Sequence, residues 1–264
     1  MTPKKNAPIK NTPKPVYLVP AVDKALEILG LLRTEGREMS LAEIAKATGW
    51  HKSSVQRVLT TLSYHKFLQR DEATKRYSLG IALADYGRIA LNNLDIRQIA
   101  KPLLQELVDY SGETAVLAIL NDTKMVMIDK KEPLNQIRAS PFIGTRFPAT
   151  ATSNGKALLA WLPEERVNEI LQIEGLPSAT KKSITKPGVY RADLVAVRER
   201  GYAIDVEEFQ DGVSGVSAPV FNPRGQVIAT LSVVGPAFRM TEENIGDFGK
   251  KCVETAAQLS TMLK

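Results

Sequence analysis

The side chains with the clearest chemical potential in this sequence lie between residues 52 and 60. On a helix of 3.6 residues per turn, this segment presents hydroxyl, amide and cationic groups away from its apolar residues. Such groups hydrogen-bond base edges and phosphates in the major groove of double-stranded DNA. The candidate DNA contacts in this segment are Lys52, Ser53, Ser54, Gln56, Arg57 and Thr60.

Two short helices are predicted to position these groups. Ser40 with Glu43 three residues later forms a capping-box pattern, which starts a helix, and Gly49 is a typical stop signal. The second helix repeats its apolar residues at helical spacing, at Val55, Val58, Leu59 and Leu62. Two helices joined by a glycine-containing turn, the second with a polar face, indicate a helix-turn-helix.

A hairpin is predicted directly after these helices. Residues 67–70 and 76–79 have strand-like patterns, with the turn at residues 71–75. This wing would carry Arg70, Lys75 and Arg76 to DNA phosphates. The alternative is a small helical subdomain whose polar face is only solvated. The agreement of cap, turn, apolar stripe and basic hairpin favours the winged helix-turn-helix.

The charge distribution supports a polyanionic partner for the first part of the chain. Residues 1–80 hold 14 Lys and Arg against 7 Asp and Glu, a net charge of +7. The remaining residues hold 21 against 22, a net charge of −1, within a chain of 264 residues and formal charge +6. The positive charge therefore lies with the predicted helix-turn-helix, as nucleic-acid binding requires.

Cysteine usage and hydropathy indicate the compartment. The single cysteine, Cys252, excludes an intramolecular disulfide and fits a reducing environment. No apolar run is long enough to cross a bilayer, and the N-terminus lacks the apolar segment of a signal peptide. We expect a cytoplasmic protein without a membrane partner.

Four segments are predicted along the chain: a disordered basic tail at residues 1–20, a DNA-binding domain at 21–80, a linker helix at 81–95 and a second domain at 96–264. One side of the linker helix is apolar, with Leu83, Tyr86, Ala90 and Leu94. This side either makes helix-to-helix contact in a dimer or packs within one chain, and the sequence favours neither.

The second domain contains runs of adjacent strands with helices set apart. Strands are predicted at residues 114–120, 125–129, 136–140, 202–206, 216–221 and 227–234. Helices are predicted at residues 96–111, 154–161, 163–171, 191–200 and beyond the last strand to 263. This order predicts an α+β domain with an antiparallel sheet.

No catalytic set of residues is evident. His51 and His65 would lie about 21 Å apart along a helix axis, so they cannot share a metal ion. Glu207 and Glu208 would point to opposite faces of a strand, and no phosphate-binding loop precedes Lys156. We expect no cofactor, no metal and no enzymatic activity. The alternative is an enzyme or small-molecule sensor with an accessory DNA-binding domain, which product formation from candidate metabolites would reveal.

Nine short motifs give the chain a family resemblance. In the first domain they are AEIA at 42–45, KSSVQRVL at 52–59 and YSLG at 77–80. In the second they are GET at 112–114, GKALLA at 155–160, RGYAID at 200–205, GV at 212–213, APVF at 218–221 and LSVVGP at 231–236. By the order and spacing of these motifs, residues 20–264 resemble the IclR-type bacterial transcriptional regulators.

The resemblance implies a winged helix-turn-helix, a linker helix and a GAF-like effector-binding domain. It also implies homodimers, often paired into tetramers, which bind palindromic operators and respond to small organic acids or aromatic compounds. A catabolic operon is the expected target. These properties are expectations that rest on the likeness.

The family's ligand pocket corresponds to six residues of this sequence, namely Thr152, Ser153, Asn154, Asp205, Gly215 and Ser232. The chain departs from some members, which have cysteine in place of Gly215 and small residues in place of Ser153 and Asn154. The ligand of any one member therefore does not carry over to this chain.

The helix expected to begin near Asn154 suggests what the pocket binds. Free backbone N–H groups at a helix start attract an anion, and Ser153 would cap that start. Ser232 would add a hydroxyl donor, whereas Asp205 suits a hydroxyl of the ligand better than its carboxylate. These features predict a small hydroxylated or aromatic acid. The competing account is that Ser153 only caps the helix and no ligand binds.

Overall fold

The computed structural model describes residues 17–92 and 95–263 of the chain. Contacts divide the chain into two compact units, residues 1–90 and 91–264. The predicted basic tail falls mostly outside the described residues, as does Leu94 of the predicted linker helix. The four predicted segment boundaries stay predictions.

The first unit contains three helices, a small sheet and the start of a fourth helix within its described residues. In chain order they are α1 Pro20–Glu35, β1 Met39–Ser40, α2 Leu41–Thr48, α3 Lys52–Tyr64, β2 Leu68–Arg70, β3 Arg76–Leu79 and α4 Ala82–Asn92. The strands pair antiparallel in the order β1-β3-β2. The predicted winged helix-turn-helix is thus confirmed as a fold.

Local signals set the start and end of α2. The Ser40 hydroxyl accepts the N–H of Glu43, and the Glu43 carboxylate accepts the N–H of Ser40, which completes the predicted capping box. Gly49 ends the helix with φ of 75°, a backbone conformation that glycine adopts without strain. The turn into α3 therefore has a fixed geometry.

The second unit is an antiparallel sheet with helices on its two faces. Its elements are α5 Asp95–Ser111, β4 Thr114–Asn121, β5 Lys124–Lys131, β6 Arg146–Pro148, α6 Ser153–Leu159, α7 Glu164–Glu174, α8 Pro187–Arg200, β7 Ala203–Val206, β8 Val213–Phe221, β9 Val227–Pro236 and α9 Glu242–Met262. The strand order is β6-β5-β4-β9-β8-β7, and every pairing is antiparallel. The predicted α+β class is confirmed.

Alternation along the strands gives the sheet two different faces. Val216 and Ala218 of β8 and Leu231 of β9 point into an apolar core with α5 and α9, where Cys252 is buried. The residues between them point toward α6, which packs on β8 and β9. A second core joins α6, α7 and α8 through Leu158, Ile170, Tyr190 and Leu194. Ser217 of β8 and Thr230 and Ser232 of β9 are thus enclosed beneath α6.

The strand predicted at residues 136–140 is wrong. This segment is a loop, and the strand that pairs with β5 on the side away from β4 is β6, further along the chain. Side chains from outside the loop satisfy its backbone: Thr114 Oγ1 donates to the carbonyl of Ala139 at 2.5 Å, and Arg239 Nη2 to that of Ile137 at 2.8 Å. Backbone groups that bond side chains in this way do not enter a ladder.

The strand position expected for Glu207 and Glu208 is also wrong. β7 ends at Val206, and Glu207 has φ of 57° in the turn that follows. The two carboxylates bond different parts of the unit, since Glu207 accepts the N–H of Gly212 and Glu208 accepts the ammonium of Lys156. They still do not form a carboxylate pair.

Candidate nucleic-acid interface and ligand pocket

The outer face of α3 has the arrangement that the sequence predicts. Val55, Leu59 and Leu62 are buried in the core of the first unit. Five of the six candidate side chains on this helix are exposed, namely Lys52, Ser53, Gln56, Arg57 and Thr60. Gln56 Nε2 donates to Thr60 Oγ1 at 3.2 Å, which orients the amide along the helix. The face offers hydroxyl, amide and guanidinium groups to a partner.

Ser54 differs from its neighbours because its hydroxyl is used inside the unit. Lys24 Nζ on α1 donates to Ser54 Oγ at 3.1 Å and lies 5.1 Å from the ring centroid of Trp50. Ser54 is half-buried in this contact. It therefore helps to hold α1 against α3.

The hairpin β2–β3 presents two cationic side chains. Arg70 and Lys75 are exposed, and both lie near the Glu72 carboxylate, with N···O distances of 3.7 and 2.8 Å. Asp71 Oδ1 accepts the N–H groups of Ala73 and Thr74, which shapes the turn and lowers the pKa of Asp71. A cleft of about 260 Å³ lies between α3 and the hairpin, lined in part by Lys52, Gln56, Arg70 and Lys75. The fold brings four of the predicted DNA contacts together there.

Arg76 is placed differently from the other basic residues of the hairpin. Its guanidinium is half-buried and donates to the Glu43 carboxylate and to the carbonyl of Glu38. These bonds direct the side chain into the unit. The sequence pattern alone gave no indication of this partner.

The six predicted pocket residues are all buried in the second unit. Thr152, rather than Ser153, caps α6: the N–H of Gly155 donates to Thr152 Oγ1 at 3.2 Å. The expected cap at Ser153 is therefore wrong. Ser153 is the first helical residue, and its hydroxyl faces the sheet.

A patch of side-chain oxygens lies where α6 meets the sheet. Ser217 Oγ on β8 donates to Ser153 Oγ at 2.8 Å, and Thr230 Oγ1 on β9 donates to Asn154 Oδ1 at 2.9 Å. Ser232 is the register partner of Ser217, and its hydroxyl lies 3.4 Å from the carbonyl of Val116. Sequence reasoning missed Ser217 and Thr230, although both lie two residues from a predicted pocket residue on the same strand face.

Two glycines allow α6 to pack closely against its neighbours in this region. A Cβ atom on Gly215 would lie 3.2 Å from Ser153 Oγ. A Cβ atom on Gly155 would lie 1.7 Å from the carbonyl oxygen of Ala149, a severe overlap with backbone. Glycine at 155 therefore lets α6 pack directly against the segment that precedes it.

Lys156, beside the candidate pocket, is the residue that sequence reasoning interpreted least well. Its side chain is 1% exposed, and its ammonium lies 2.7 Å from Glu208 Oε1 and 2.9 Å from Asp193 Oδ2. Arg200 Nη2 lies 3.3 Å from the second oxygen of Asp193. The available signal was a lone lysine within a run of small and apolar residues at 155–160. A buried ammonium requires such anionic partners.

Asp205 completes this charged group. Its carboxylate is buried and accepts the N–H of Glu208 at 2.7 Å. Burial raises the pKa of Asp205 to about 6, and the neighbouring Glu208 carboxylate adds to the rise. Burial likewise raises the pKa of Glu208, against the lowering effect of Lys156.

Within residues 17–92 and 95–263, no group of three or more histidine, cysteine or acidic side chains is placed to hold a metal ion. No helix of the described chain combines the length and apolar composition needed to cross a bilayer.

Comparison with known proteins gives matches across both units. The family model for the IclR helix-turn-helix domain matches residues 21–72, and that for the bacterial transcriptional regulator IclR C-terminal domain matches residues 88–261. The HTH-type transcriptional regulator XynR of Escherichia coli is 33% identical over 246 residues, covering 93% of this chain and 98% of its own. The regulator BhcR of Paracoccus denitrificans is 34% identical, with coverage of 91% and 86%. An IclR transcriptional regulator structure from Alicyclobacillus acidocaldarius has a TM-score of 0.81 at 34% identity, with coverage of 93% and 99%.

Because the carboxyl of Asp205 is buried, we expect the folding stability of the second unit to depend on pH. Because its folded pKa of about 6 exceeds its ordinary value of 3.8, the folded state holds this proton more tightly than the unfolded state. The free energy of unfolding therefore falls as pH rises through this interval. Above pH 6 the whole loss of stability that comes from ionising the buried carboxyl is present. We expect Asp205→Asn to raise the stability of the second unit at pH 8 by about 2–3 kcal/mol and to change it little near pH 4.

Thermal unfolding monitored at several pH values measures this difference. Asp211→Asn, an exposed position in the following turn, is the matched control and should behave as wild type at each pH. A gain for Asp205→Asn that is larger at low pH than at high pH would contradict the prediction.

Proposed function

The chain belongs to the IclR family of bacterial transcriptional regulators, and on this premise we propose that it binds a palindromic operator as a homo-oligomer under the control of a small oxygen-rich effector. The observation that supports this most directly is the exposed polar face of α3 beside a cationic hairpin. The proposal includes a cytoplasmic location and no catalytic role.

The DNA interface that we propose divides its side chains by role. Arg57 and Ser53 on α3 read base edges, and Gln56 and Thr60 share that face. Lys52 at the start of α3, with Arg70 and Lys75 beside the same cleft, binds phosphates and so contributes affinity without sequence preference. Ser54 and Arg76 act through contacts inside the unit.

The effector that we propose lies between α6 and strands β8 and β9. Ser153, Ser217 and Ser232 supply hydroxyl donors, which hydrogen-bond a carboxylate or hydroxyl group of a ligand. Asp205, pairing in register with Gly215, disfavours a second negative charge nearby and suits a ligand hydroxyl. A hydroxylated or aromatic acid therefore fits this region better than a hydrocarbon.

The first test of the proposed function distinguishes base contacts from phosphate contacts. The test uses a duplex that the wild-type protein enriches from a random-sequence pool and a shuffled version of it. Arg57→Ala should weaken binding to the enriched duplex by about 1–3 kcal/mol and change binding to the shuffled duplex little. Lys75→Asn should weaken both and lower the salt slope by about 1. Asparagine is chosen because residue 75 has φ of 55°, which asparagine tolerates.

Gel shifts over a range of salt concentrations measure both effects. Arg224→Ala and Lys250→Asn remove the same charges from exposed positions in the second unit and serve as controls. Equal losses on the two duplexes for Arg57→Ala would exclude base reading by this residue.

The second prediction concerns the oligomer. One recognition helix reads too few base pairs for specificity, and two-fold symmetry doubles the site, with half-sites about 34 Å or a multiple apart. Light scattering at micromolar concentration should give at least twice the mass of one chain. A monomer that still binds its enriched duplex tightly would refute the symmetric operator.

The third prediction tests the pocket. In calorimetry, an aromatic hydroxy acid or a short-chain hydroxy acid should bind, and the matching hydrocarbon should not. Ser153→Ala and Ser232→Ala should each lower the affinity for the acid that binds by about two- to tenfold, which corresponds to the loss of one hydrogen bond.

Ser214→Ala is the matched control, because Ser214 is buried on β8 and alternates to the face away from α6. Its affinity should equal that of wild type. If Ser153→Ala and Ser232→Ala fold and bind the acid as wild type does, the pocket lies elsewhere.

A further inference from the structure

Arg76 carries a positive charge on the wing, yet it faces the start of α2. In the pairing of β1 with β3, Arg76 lies directly opposite Ser40, the residue that caps α2. Strand β1 leads into that helix without an intervening loop. The pairing of β1 with β3 therefore joins the wing to the first helix of the helix-turn-helix.

The Glu43 carboxylate gathers three donors at this junction. Arg76 Nη2 lies 3.0 Å from Glu43 Oε1 and 2.7 Å from Oε2, and Arg37 Nη1 lies 3.0 Å from Oε1. The N–H of Ser40 donates to Oε2 at 2.8 Å. One anion thus holds two guanidinium groups and the N-cap of α2.

A second acceptor reinforces the junction. The carbonyl oxygen of Glu38 accepts hydrogen bonds from Arg76 Nη2 at 3.0 Å and from Arg37 Nη1 at 3.3 Å. Bonds from a planar guanidinium to fixed oxygens restrict orientation as well as distance. The bonds from Ser40 and the two arginines lower the pKa of Glu43 to about 2, so the carboxylate stays ionised at neutral pH.

We propose that Arg76 is a positioning residue for DNA binding, which holds the wing against the start of α2 through Glu43 and the Glu38 carbonyl and so directs Arg70 and Lys75 toward the phosphates. The proposal rests on the DNA-binding function proposed above. It assigns Glu43, an acidic residue in a DNA-binding unit, a favourable effect on DNA affinity.

If only net charge mattered, the expectation would be the opposite. The direction of the change in DNA affinity therefore tests the proposal. If Arg76 contacted a phosphate, Arg76→Lys would keep the contact, and Glu43→Gln would free the arginine and remove a negative charge. DNA binding would then stay equal or become tighter. If Arg76 positions the wing, both substitutions weaken DNA binding, because lysine lacks the planar fork and glutamine lacks the charge.

The experiment uses the full-length chain with Arg76→Lys, Glu43→Gln and the double substitution. Glutamine at the third helical position retains the capping box, so the start of α2 is preserved. Glu27→Gln, exposed on α1, reports the effect of removing one negative charge alone. Affinity is measured on the labelled duplex enriched by the wild-type protein, and hydrogen exchange of residues 71–79 is measured in the free protein.

We expect each single substitution to weaken duplex binding by about three- to tenfold with thermal unfolding still cooperative, and the double variant to bind no more weakly than the weaker single. Exchange at residues 71–79 should be faster in both single variants and unchanged in Glu27→Gln. Wild-type affinity for Arg76→Lys, tighter binding by Glu43→Gln, or additive losses would overturn the proposal. A wild-type protein that enriches no duplex would refute the proposed function. Unchanged hydrogen exchange at residues 71–79 in Arg76→Lys would still show that Arg76 does not hold the wing in place.

Discussion

The buried ammonium group of Lys156 is the constraint on which the second unit depends most. An ammonium removed from water is strongly unfavourable without anionic partners, so α6, α8 and the turn after β7 must meet at its Nζ atom. Asp193 and Glu208 supply the two carboxylates, and Arg200 holds the far side of Asp193. Ser153 and Asn154 lie within one helical turn of Lys156, so these two ion pairs also fix the candidate pocket residues over the sheet.

The sheet beneath them serves the core and the pocket at once. Because successive side chains of a strand point to opposite faces, Val216 and Leu231 join the apolar core while Ser217 and Ser232 lie toward α6. A shift of β9 by one residue against β8 would exchange these sets and bury hydroxyls among apolar side chains. Stability of the core therefore preserves the placement of the hydroxyls in the proposed pocket.

What the sequence predicted depended on the range of the interactions. The capping box of Ser40 and Glu43 and the apolar side of α3 involve near neighbours, and the structure confirms both. The wrong strand at residues 136–140 is held as a loop by groups distant in sequence, such as Arg239. Arg76 and Lys156 show the same limit: the sequence reveals their charge, but their acidic partners lie 33 and 52 residues away.

The absent side chain of Gly155 has a mechanical consequence for the pocket. The backbone of α6 rests directly on the carbonyl of Ala149, so the helix cannot move in that direction without atomic overlap. Its other flank is tethered through Lys156 to α8 and the turn after β7. With both sides braced, α6 is a rigid wall of the proposed pocket, and the small hydroxyl side chains and the turn after β7 are the parts that could move to admit the proposed effector.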